Sequence, residues 1–364
     1  MKTPVPLPNS VYIDQSSFLR ERETVLGTEW VAIGFSTDIA EPGDIRPVAL
    51  SGMPLFLLRN QKSEILVFHN VCSHRGVALV TEPGKVRNVL RCPYHSWAYD
   101  LKGNLVSTPH IGGQDIGHVD GFDKAVHGLK KVRSAEWMGV VFVNLDGKAP
   151  ELADHIKPLI SQWHAFDLDA FVAIPETRSS LDIGANWKLV VDNYLESYHL
   201  PWVHPELNKI SKLEDHYCYI EQGYSGQGTT VYQGQQGDTA GLPSMEVPPE
   251  WQKRGEYPVL YPNTFFGIHH DHFYAIWLEP IGPGATREHW QIYGVGEGGA
   301  DKNKHGDTHL ALRDLWNSVF LEDVGVVEAM QIGRQSPAFS GGVLTPVMET
   351  TTRHFHEWVA ARLS

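Results

Sequence analysis

Two short loops, each carrying one cysteine and one histidine, constrain the fold of this chain more than any other feature. Cys72 and His74 follow a predicted strand that ends at His69, and Cys92 and His95 follow a second predicted strand. The spacings are Cys-x-His and Cys-x-x-His, and 17 residues separate the two pairs. Matched ligand-type side chains at the ends of two strands indicate that both loops hold a single inorganic group.

The mixed composition of the two loops favours one kind of metal group. A zinc site usually takes two cysteines from one element and two histidines from another, whereas here each loop has one of each. This arrangement suits a [2Fe–2S] cluster in which two thiolates bind one iron and two imidazoles bind the other. The alternatives are a zinc site, or two buried cysteines with incidental histidines.

Hydrophobic patterning divides the chain into two domains. Residues 29–145 contain short β-runs interrupted by Gly, Pro, Asn and Asp, which predict a small all-β domain. Residues 146–364 show helical periodicity at 187–200 and again from 310 to about 331, with strand-like segments between them. Helices flanking an antiparallel sheet predict an α+β second domain, and therefore an α+β fold class for the whole chain.

A second group of candidate ligands lies in residues 186–204. On a helix, Asp192, Glu196 and His199 share one face, whereas His204 lies about 140° away from His199. Pro201 is expected to break the helix and to let the chain turn His204 back towards His199. Two histidines and one carboxylate form the facial triad of mononuclear Fe(II) oxygenases.

The residues leave the identity of the third ligand open. Asp192 already lies on the face of His199. Asp323 is the other candidate, because it lies in an apolar helical stripe that includes Trp316 and Phe320, while its neighbour Glu322 points away from the stripe. A carboxylate on a buried face needs a metal or an ionic partner, so a salt bridge is the alternative role for Asp323.

Charge and cysteine content exclude several functional classes. The chain has 43 acidic and 30 basic side chains and a net charge of −13, which argues against nucleic acid or an anionic membrane as a partner. No apolar run approaches the ~20 residues that span a bilayer. Three cysteines in 364 residues indicate a reducing compartment, so we expect a cytoplasmic protein.

The two loop sequences resemble a known family. Residues 72–76 (CSHRG) and 92–103 (CPYHSWAYDLKG) are similar to the signature of Rieske domains, in the form found in Rieske non-haem iron oxygenases. The resemblance covers roughly residues 25–340. It implies a Rieske [2Fe–2S] cluster bound by Cys72, His74, Cys92 and His95, and a helix-grip-like catalytic domain of the oxygenase α subunit.

The same resemblance assigns roles in the second domain. Residues 186–204 and 321–328 are similar to the family's iron-binding segments, which implies His199, His204 and Asp323 as ligands of a mononuclear Fe(II). It also implies that Glu196 bridges His199 to the cluster histidine of a neighbouring subunit, matched here by His95, in a homotrimer. Asp192 and Asn193 match positions that orient the iron ligands.

The implied reaction is hydroxylation of a small organic substrate with O₂ and electrons from NAD(P)H. The electrons would come through a separate reductase, because the chain has no Rossmann or flavin fingerprint. The glutamate at the bridge and the short chain resemble oxygenases of carnitine, choline and glycine betaine. Candidate pocket residues for a cationic amine are Tyr194, Trp202, Phe265 and Trp277.

Several alternatives remain at this point. The same aromatic residues suit hydroxylation or dihydroxylation of an aromatic ring, and O-demethylation is a third possibility. The chain is alternatively only a Rieske electron carrier, although a carrier needs no second ligand set. Cys218 lies outside both motifs and is expected to be a packing residue. The run His269, His270, Asp271 and His272 resembles a metal site, but strand alternation favours a packing role.

Overall fold

The computed structural model describes residues 6–232 and 239–364, which form two compact units. One unit is Ile33–Lys148, and the other joins the described residues up to Ala32 to Ala149–Ser364. The domain bounds expected from the sequence, 29–145 and 146–364, remain predictions. The membership of the N-terminal segment in the second unit is not visible in the hydrophobic pattern.

The first unit is all-β apart from short turns of 3₁₀ helix, as predicted. Its strands are β1 (Val31–Phe35), β2 (Asp44–Leu50), β3 (Met53–Arg59), β4 (Ile65–His69), β5 (Gly84–Lys85), β6 (Val89–Arg91), β7 (Ala98–Asp100), β8 (Leu105–Ser107), β9 (Lys131–Trp137) and β10 (Val140–Asn144). A seven-stranded sheet has the order β1-β10-β9-β4-β3-β2-β5, and a three-stranded sheet has the order β6-β7-β8.

The two sheets of this unit enclose a core that reaches the cysteine loops. Phe56 on β3 and Phe68 on β4 stack with ring centroids 5.4 Å apart. The same apolar cluster includes Cys72, Cys92 and Tyr99. The core therefore fixes the base of each loop, and the loops emerge where β4 and β6 end.

The second unit has one sheet and most of the helices. Its strands are β11 (Phe171–Ala173), β12 (Ser179–Ile183), β13 (His216–Glu221), β14 (Tyr224–Thr229), β15 (Gly255–Leu260), β16 (Thr264–Ile268), β17 (His272–Gly282) and β18 (Ala285–Val295). Its helices are α1 (Ser10–Ile13), α2 (Gln15–Thr24), α3 (Leu152–Gln162), α4 (Trp187–Tyr194), α5 (Leu200–Val203), α6 (Leu207–Ile210), α7 (Gly296–Gly299), α8 (Lys302–Gly333) and α9 (Thr350–Leu363).

The sheet of the second unit is antiparallel, and one of its faces packs against α4, α8 and α9. The strand order is β11-β18-β17-β16-β15-β14-β13, and β12 pairs with β18 beside β11. Tyr274 on β17 and Trp290 on β18 belong to the same buried cluster as Trp187 on α4 and Phe320 on α8. The predicted α+β class, with helices flanking an antiparallel sheet, is confirmed.

Two helix bounds differ from those expected. Helix α8 begins at Lys302 rather than near Leu310, because Asp301 caps it by accepting a hydrogen bond from the Asn303 N–H, and its first turns are too polar to show apolar periodicity. Helix α4 ends at Tyr194 rather than Leu200. In the part of the chain that the structure describes, no helix is long and apolar enough to cross a membrane.

Candidate metal centres

The two cysteine loops of the first unit have the same backbone hydrogen-bonding pattern. In each loop the cysteine N–H donates to the carbonyl five residues later, and the cysteine carbonyl accepts from the N–H four residues later. These bonds are Cys72 N to Val77 O (2.8 Å), Gly76 N to Cys72 O (2.9 Å), Cys92 N to Trp97 O (2.8 Å) and Ser96 N to Cys92 O (3.0 Å). The residue four positions after each cysteine needs a positive φ, and this angle is 75° at Gly76 and 59° at Ser96.

The four candidate cluster ligands are arranged with the thiols inside and the imidazoles outside. Cys72 and Cys92 are 2% and 3% exposed. The rings of His74 and His95 lie 4.6 Å apart, and Nδ1 of His95 is buried with no hydrogen-bond partner among the described residues. Two buried thiols beside two adjacent imidazoles fit a [2Fe–2S] cluster in which the thiolates bind one iron and the imidazoles bind the other.

Tyr99 provides a hydrogen bond at the sulfur end of this site. Its hydroxyl lies 3.2 Å from Sγ of Cys72, and the Ser73 N–H donates to the same oxygen at 3.1 Å. Burial, together with the neighbouring thiol, raises the pKa of Tyr99 to about 12. The phenol therefore keeps its proton, and a donor to a ligating sulfur is one means of tuning a cluster's potential.

In the second unit, His199, His204 and Asp323 come together. Their candidate ligand atoms all lie within 4.8 Å of one another. Oδ1 of Asp323 is 3.0 Å from Nε2 of His204 and 3.5 Å from Nε2 of His199. Two imidazole nitrogens and one carboxylate, turned towards one point, fit a 2-His-1-carboxylate iron site.

The backbone reaches this geometry by a different route from the expected broken helix. Helix α4 has already ended when the chain reaches His199, which is the N-cap of the short helix α5. Pro201 lies in the first turn of α5, where its missing N–H costs nothing, so it helps to start a helix rather than to break one. His204 follows as the C-cap of α5, one turn from His199.

Each candidate histidine ligand is held by a carboxylate on its other nitrogen. Nδ1 of His199 lies 2.7 Å from Oε1 of Glu196, and Nδ1 of His204 lies 2.7 Å from Oε2 of Glu322. These contacts fix the tautomer that turns Nε2 towards Asp323 and raise the basicity of the ring. The role of Glu322 is missing from the sequence analysis, which placed this residue away from the site.

The second oxygen of Glu196 is also used within the chain. Oε2 accepts hydrogen bonds from the backbone N–H groups of Tyr198 and His199. These bonds replace the helical hydrogen bonds that the segment would otherwise need, which explains why α4 does not continue through Glu196.

Asn193 and Asp192 lie in different surroundings. Nδ2 of Asn193 donates to Oδ1 of Asp323 at 3.1 Å, next to the candidate iron site. Asp192 instead accepts a hydrogen bond from the Tyr12 hydroxyl at 2.9 Å and lies 3.0 Å from Nε2 of His356. The structure therefore groups Asp323, and not Asp192, with His199 and His204.

An aromatic cavity opens beside the candidate iron ligands. Five aromatic side chains line it: Tyr194, Tyr257, Tyr274, Trp316 and Phe320. Trp316 and Phe320 belong to the apolar stripe that the sequence analysis identified on α8. Tyr257 and Tyr274 were missed, although strand alternation offers a signal for them once the inner face of the sheet is known.

Of the four expected pocket residues, only Tyr194 lines this cavity. Phe265 stacks behind Tyr194, with ring centroids 4.6 Å apart. Trp202 is 70% exposed. Trp277 stacks on His289 at 4.1 Å, because it points to the face of β17 opposite to that of Tyr274.

The histidine-rich run between β16 and β17, which ends at the first residue of β17, supports the wall of this cavity. Nδ1 of His272 lies 2.8 Å from Oδ1 of Asp271, and the Trp316 indole N–H donates to Nε2 of His272 at 2.8 Å. His269 stacks on His272 and is fully buried. The hydrogen bonds from Asp271 through His272 therefore orient the indole of Trp316.

Cys218, which was expected to be a packing residue, instead lies exposed on β13.

Glu288 on β18 is an unexpected buried acid near the candidate iron site. It lines a small cavity together with Asn193 and Asp323, and its Oε1 has no hydrogen-bond partner among the described residues. Burial, with a smaller contribution from the charge of Asp323, raises the pKa of Glu288 to about 8. The sequence offers no signal for it beyond a single acid in an apolar strand.

Comparison with known proteins assigns the chain to a family. Residues 174–364 match the family model "Ring hydroxylating alpha subunit (catalytic domain)", and residues 29–122 match "Rieske [2Fe-2S] domain". The chain therefore belongs to the α subunits of the ring-hydroxylating, Rieske-type non-haem iron oxygenases. It is an oxidoreductase with a Rieske cluster and a mononuclear iron, and the resemblance seen in the sequence is confirmed.

Similar proteins match this chain over nearly its whole length. The carnitine monooxygenase oxygenase subunit of Acinetobacter pittii is 27% identical, over 92% of this chain and 86% of that protein. The glycine betaine monooxygenase oxygenase subunit of Chromohalobacter salexigens is 27% identical, over 97% and 84%. The crystal structure of a quaternary ammonium Rieske monooxygenase with L-carnitine has a TM-score of 0.82, 23% identity and coverage of 100% and 96%.

Proposed function

We propose that this oxygenase hydroxylates a quaternary ammonium compound, with oxidative demethylation or C–N cleavage as the outcome. Cys72, His74, Cys92 and His95 hold the [2Fe–2S] cluster, and His199, His204 and Asp323 hold the mononuclear Fe(II). When bound, these groups supply single electrons and activate O₂. The electrons come from NAD(P)H through a separate reductase. A cytoplasmic location, expected from the cysteine content, remains part of the proposal.

The observation that carries this proposal is the aromatic wall beside the candidate iron ligands. The π faces of Trp316, Tyr257 and Tyr274 attract a quaternary ammonium group, with about 0.5–2 kcal/mol for each good contact. Among the described residues that line the cavity there is no Lys or Arg to repel a cation. Two similar proteins are named for carnitine and glycine betaine, which are both quaternary ammonium compounds.

The residues around the iron site have positioning roles. Glu196 and Glu322 hold the two imidazoles by Nδ1, so that both Nε2 atoms face Asp323. Asn193 restrains Asp323 through the hydrogen bond to Oδ1. Ligands held in this way need little rearrangement when the metal binds.

We propose that electrons pass between subunits of a homotrimer, from His95 of one subunit to His199 of the next through Glu196. The contact between Glu196 and His199 supplies one half of this path within the chain. A structure of the quaternary ammonium Rieske monooxygenase has been used to describe inter-subunit electron transfer.

The test is an EPR titration of the iron-loaded enzyme under nitric oxide, which replaces O₂ at ferrous iron. The ligands are tetramethylammonium, choline, glycine betaine and carnitine on one side, and simple aromatic acids on the other. We expect the ferrous-nitrosyl signal to be reshaped by at least one of the trimethylammonium compounds and to be unaffected by the aromatic acids.

Two results would contradict the proposal. A response to aromatic acids alone would indicate ring hydroxylation, for which the same aromatic wall would hold a benzenoid ring. The absence of any nitrosyl signal in iron-loaded protein would remove the mononuclear site and leave an electron carrier.

A further inference from the structure

The cavity beside the iron ligands adjoins a second cavity. Leu207, Ser211, Tyr257, Trp316 and Val319 line both cavities, so the two spaces share a wall. We call the second cavity the annex. Its aliphatic lining consists of Leu207, Ile210, Val231, Leu312, Leu315 and Val319. An apolar space therefore lies directly beside the cavity at the iron ligands.

The described linings of the two cavities carry no cationic side chain. Among the described residues that line them there is no Lys or Arg. Tyr232 and Thr239 also line the annex. An anionic group in the annex would lose part of its hydration and would gain no counter-charge from the described lining residues, which is unfavourable.

The two histidines beyond the iron ligands are already engaged within the chain. Nδ1 of His216 lies 2.7 Å from Oε1 of Gln227, and its Nε2 lies 2.9 Å from Oγ of Ser211. His272 uses Nδ1 for Asp271 and Nε2 for Trp316. Neither ring has an N–H left to bind a carboxylate.

We infer that the substrate is a quaternary ammonium ion with an uncharged, apolar substituent that lies in the annex. Compounds with a carboxylate at that position bind poorly, which separates this chain from relatives named for carnitine and glycine betaine. The inference rests on the proposed function, because it requires the ammonium group in the aromatic cavity near the iron.

The first test compares matched ligands by isothermal titration calorimetry with the anaerobic, reduced holoenzyme. The series is tetramethylammonium and ethyl-, butyl- and hexyltrimethylammonium, each alkyl ion paired with the ω-(trimethylammonio)carboxylate of equal length. We expect affinity to rise by up to about fourfold for each methylene that enters the annex. The carboxylate of each longer pair is expected to bind at least about tenfold more weakly.

A variant that adds a cation should reverse this preference. Leu315 lines the annex and is 50% exposed, so Leu315→Lys can place an ammonium group there while its stem stays partly solvated. We expect the carboxylates to bind more tightly to this variant than the matched alkyl ions. The control is Leu310→Lys, on the same helix and 37% exposed, which lines neither cavity and should keep the wild-type preference.

The outcomes separate this inference from the proposed function. Equal or tighter binding of the carboxylates by the wild type, or affinity that does not change with alkyl length, would overturn the inference while the proposed function stands. If no trimethylammonium compound binds, tetramethylammonium included, the proposed function fails first. If Leu315→Lys does not fold, the comparison of alkyl ions with matched carboxylates in the wild type still tests the inference.

Discussion

At the scale of single residues, the candidate iron site consists of two shells. The sequence indicated His199 and His204 as candidate ligands but left Asp192 and Asp323 as alternatives for the carboxylate, and the family resemblance selected Asp323. The outer residue Glu322 was not identified, because its contact with His204 joins positions 118 apart and exists only after α5 packs near α8. A side chain that acts through a tertiary contact lies at no characteristic sequence distance from its partner.

Glu322→Ala should weaken the mononuclear iron site. Loss of the acceptor at Nδ1 of His204 frees the ring to rotate, and we expect Fe(II) affinity to fall by about 10- to 100-fold, with a smaller loss for Glu322→Gln. Equilibrium dialysis against a competing chelator measures this affinity, and the visible spectrum of the Rieske cluster should not change. Leu321→Ala, at an exposed neighbouring position, is the control. Unchanged affinity in Glu322→Ala would contradict the assignment.

Glu288→Gln should change how stability depends on pH. The folded-state pKa of about 8 exceeds the ordinary value of 4.5, so between these values the folded state binds more protons than the unfolded state and stability falls as pH rises. From pH 6 to 8 the wild type should lose about 2 kcal/mol of unfolding free energy relative to Glu288→Gln.

Chemical denaturation of protein stripped of mononuclear iron measures this difference. Glu221→Gln, at an exposed position on β13, should follow the wild type across the same pH range. Parallel pH profiles for the wild type and Glu288→Gln would show that Glu288 is ionised in the folded state.

At the scale of elements, the sequence predicted the type of most segments better than their ends. The helix expected over 187–200 stops at Tyr194, because Glu196 binds the backbone N–H groups of Tyr198 and His199. The effect of Pro201 was also misjudged, since its position within α5 depends on where that helix starts. The loops around Cys72 and Cys92 were easier to predict, because the ligand-type residues of each loop lie within a few positions of one another in the sequence.

His272→Phe should weaken substrate binding without affecting the metal centres. The variant keeps an aromatic ring beside Trp316 but leaves its buried indole N–H without an acceptor, which costs about 1–3 kcal/mol. We expect the dissociation constant of the best trimethylammonium ligand to rise about tenfold by calorimetry. His270→Phe in the same run is the matched control. Equal affinity in the two variants would mean that His272 does not orient the wall.

At the scale of the whole molecule, the N-terminal segment is the feature that the sequence concealed. Glu21 and Lys188 form a fully buried ion pair with Nζ 2.6 Å from Oε1, and Tyr12 hydrogen-bonds to Asp192. These contacts attach α1 and α2 to α4, although more than 160 residues separate the partners. The family resemblance supplied the trimer, about which a single chain carries no direct information.

Glu196→Gln should leave both metal centres occupied and slow the transfer of electrons between them. Glutamine retains an oxygen acceptor for Nδ1 of His199, so the iron site survives, but the charge of the bridge is lost. Stopped-flow oxidation of reduced clusters by O₂ and substrate should slow on the order of tenfold or more. Light scattering should still give a mass about three times 40.7 kDa for the variant and the wild type. Normal transfer in a trimeric variant would refute the bridging role.

The central claim is that this chain carries its own oxygenase iron at His199, His204 and Asp323. The most direct measurement is the iron and acid-labile sulfide content of the wild type and of Asp323→Ala, with Asp314→Ala, an exposed aspartate on the same helix, as the control. A cluster plus a mononuclear site gives about three irons and two sulfides per chain, and Asp323→Ala should fall to about two irons with an unchanged Rieske EPR signal. Iron that stays at about three in Asp323→Ala, or that never exceeds two in the wild type, would contradict the account.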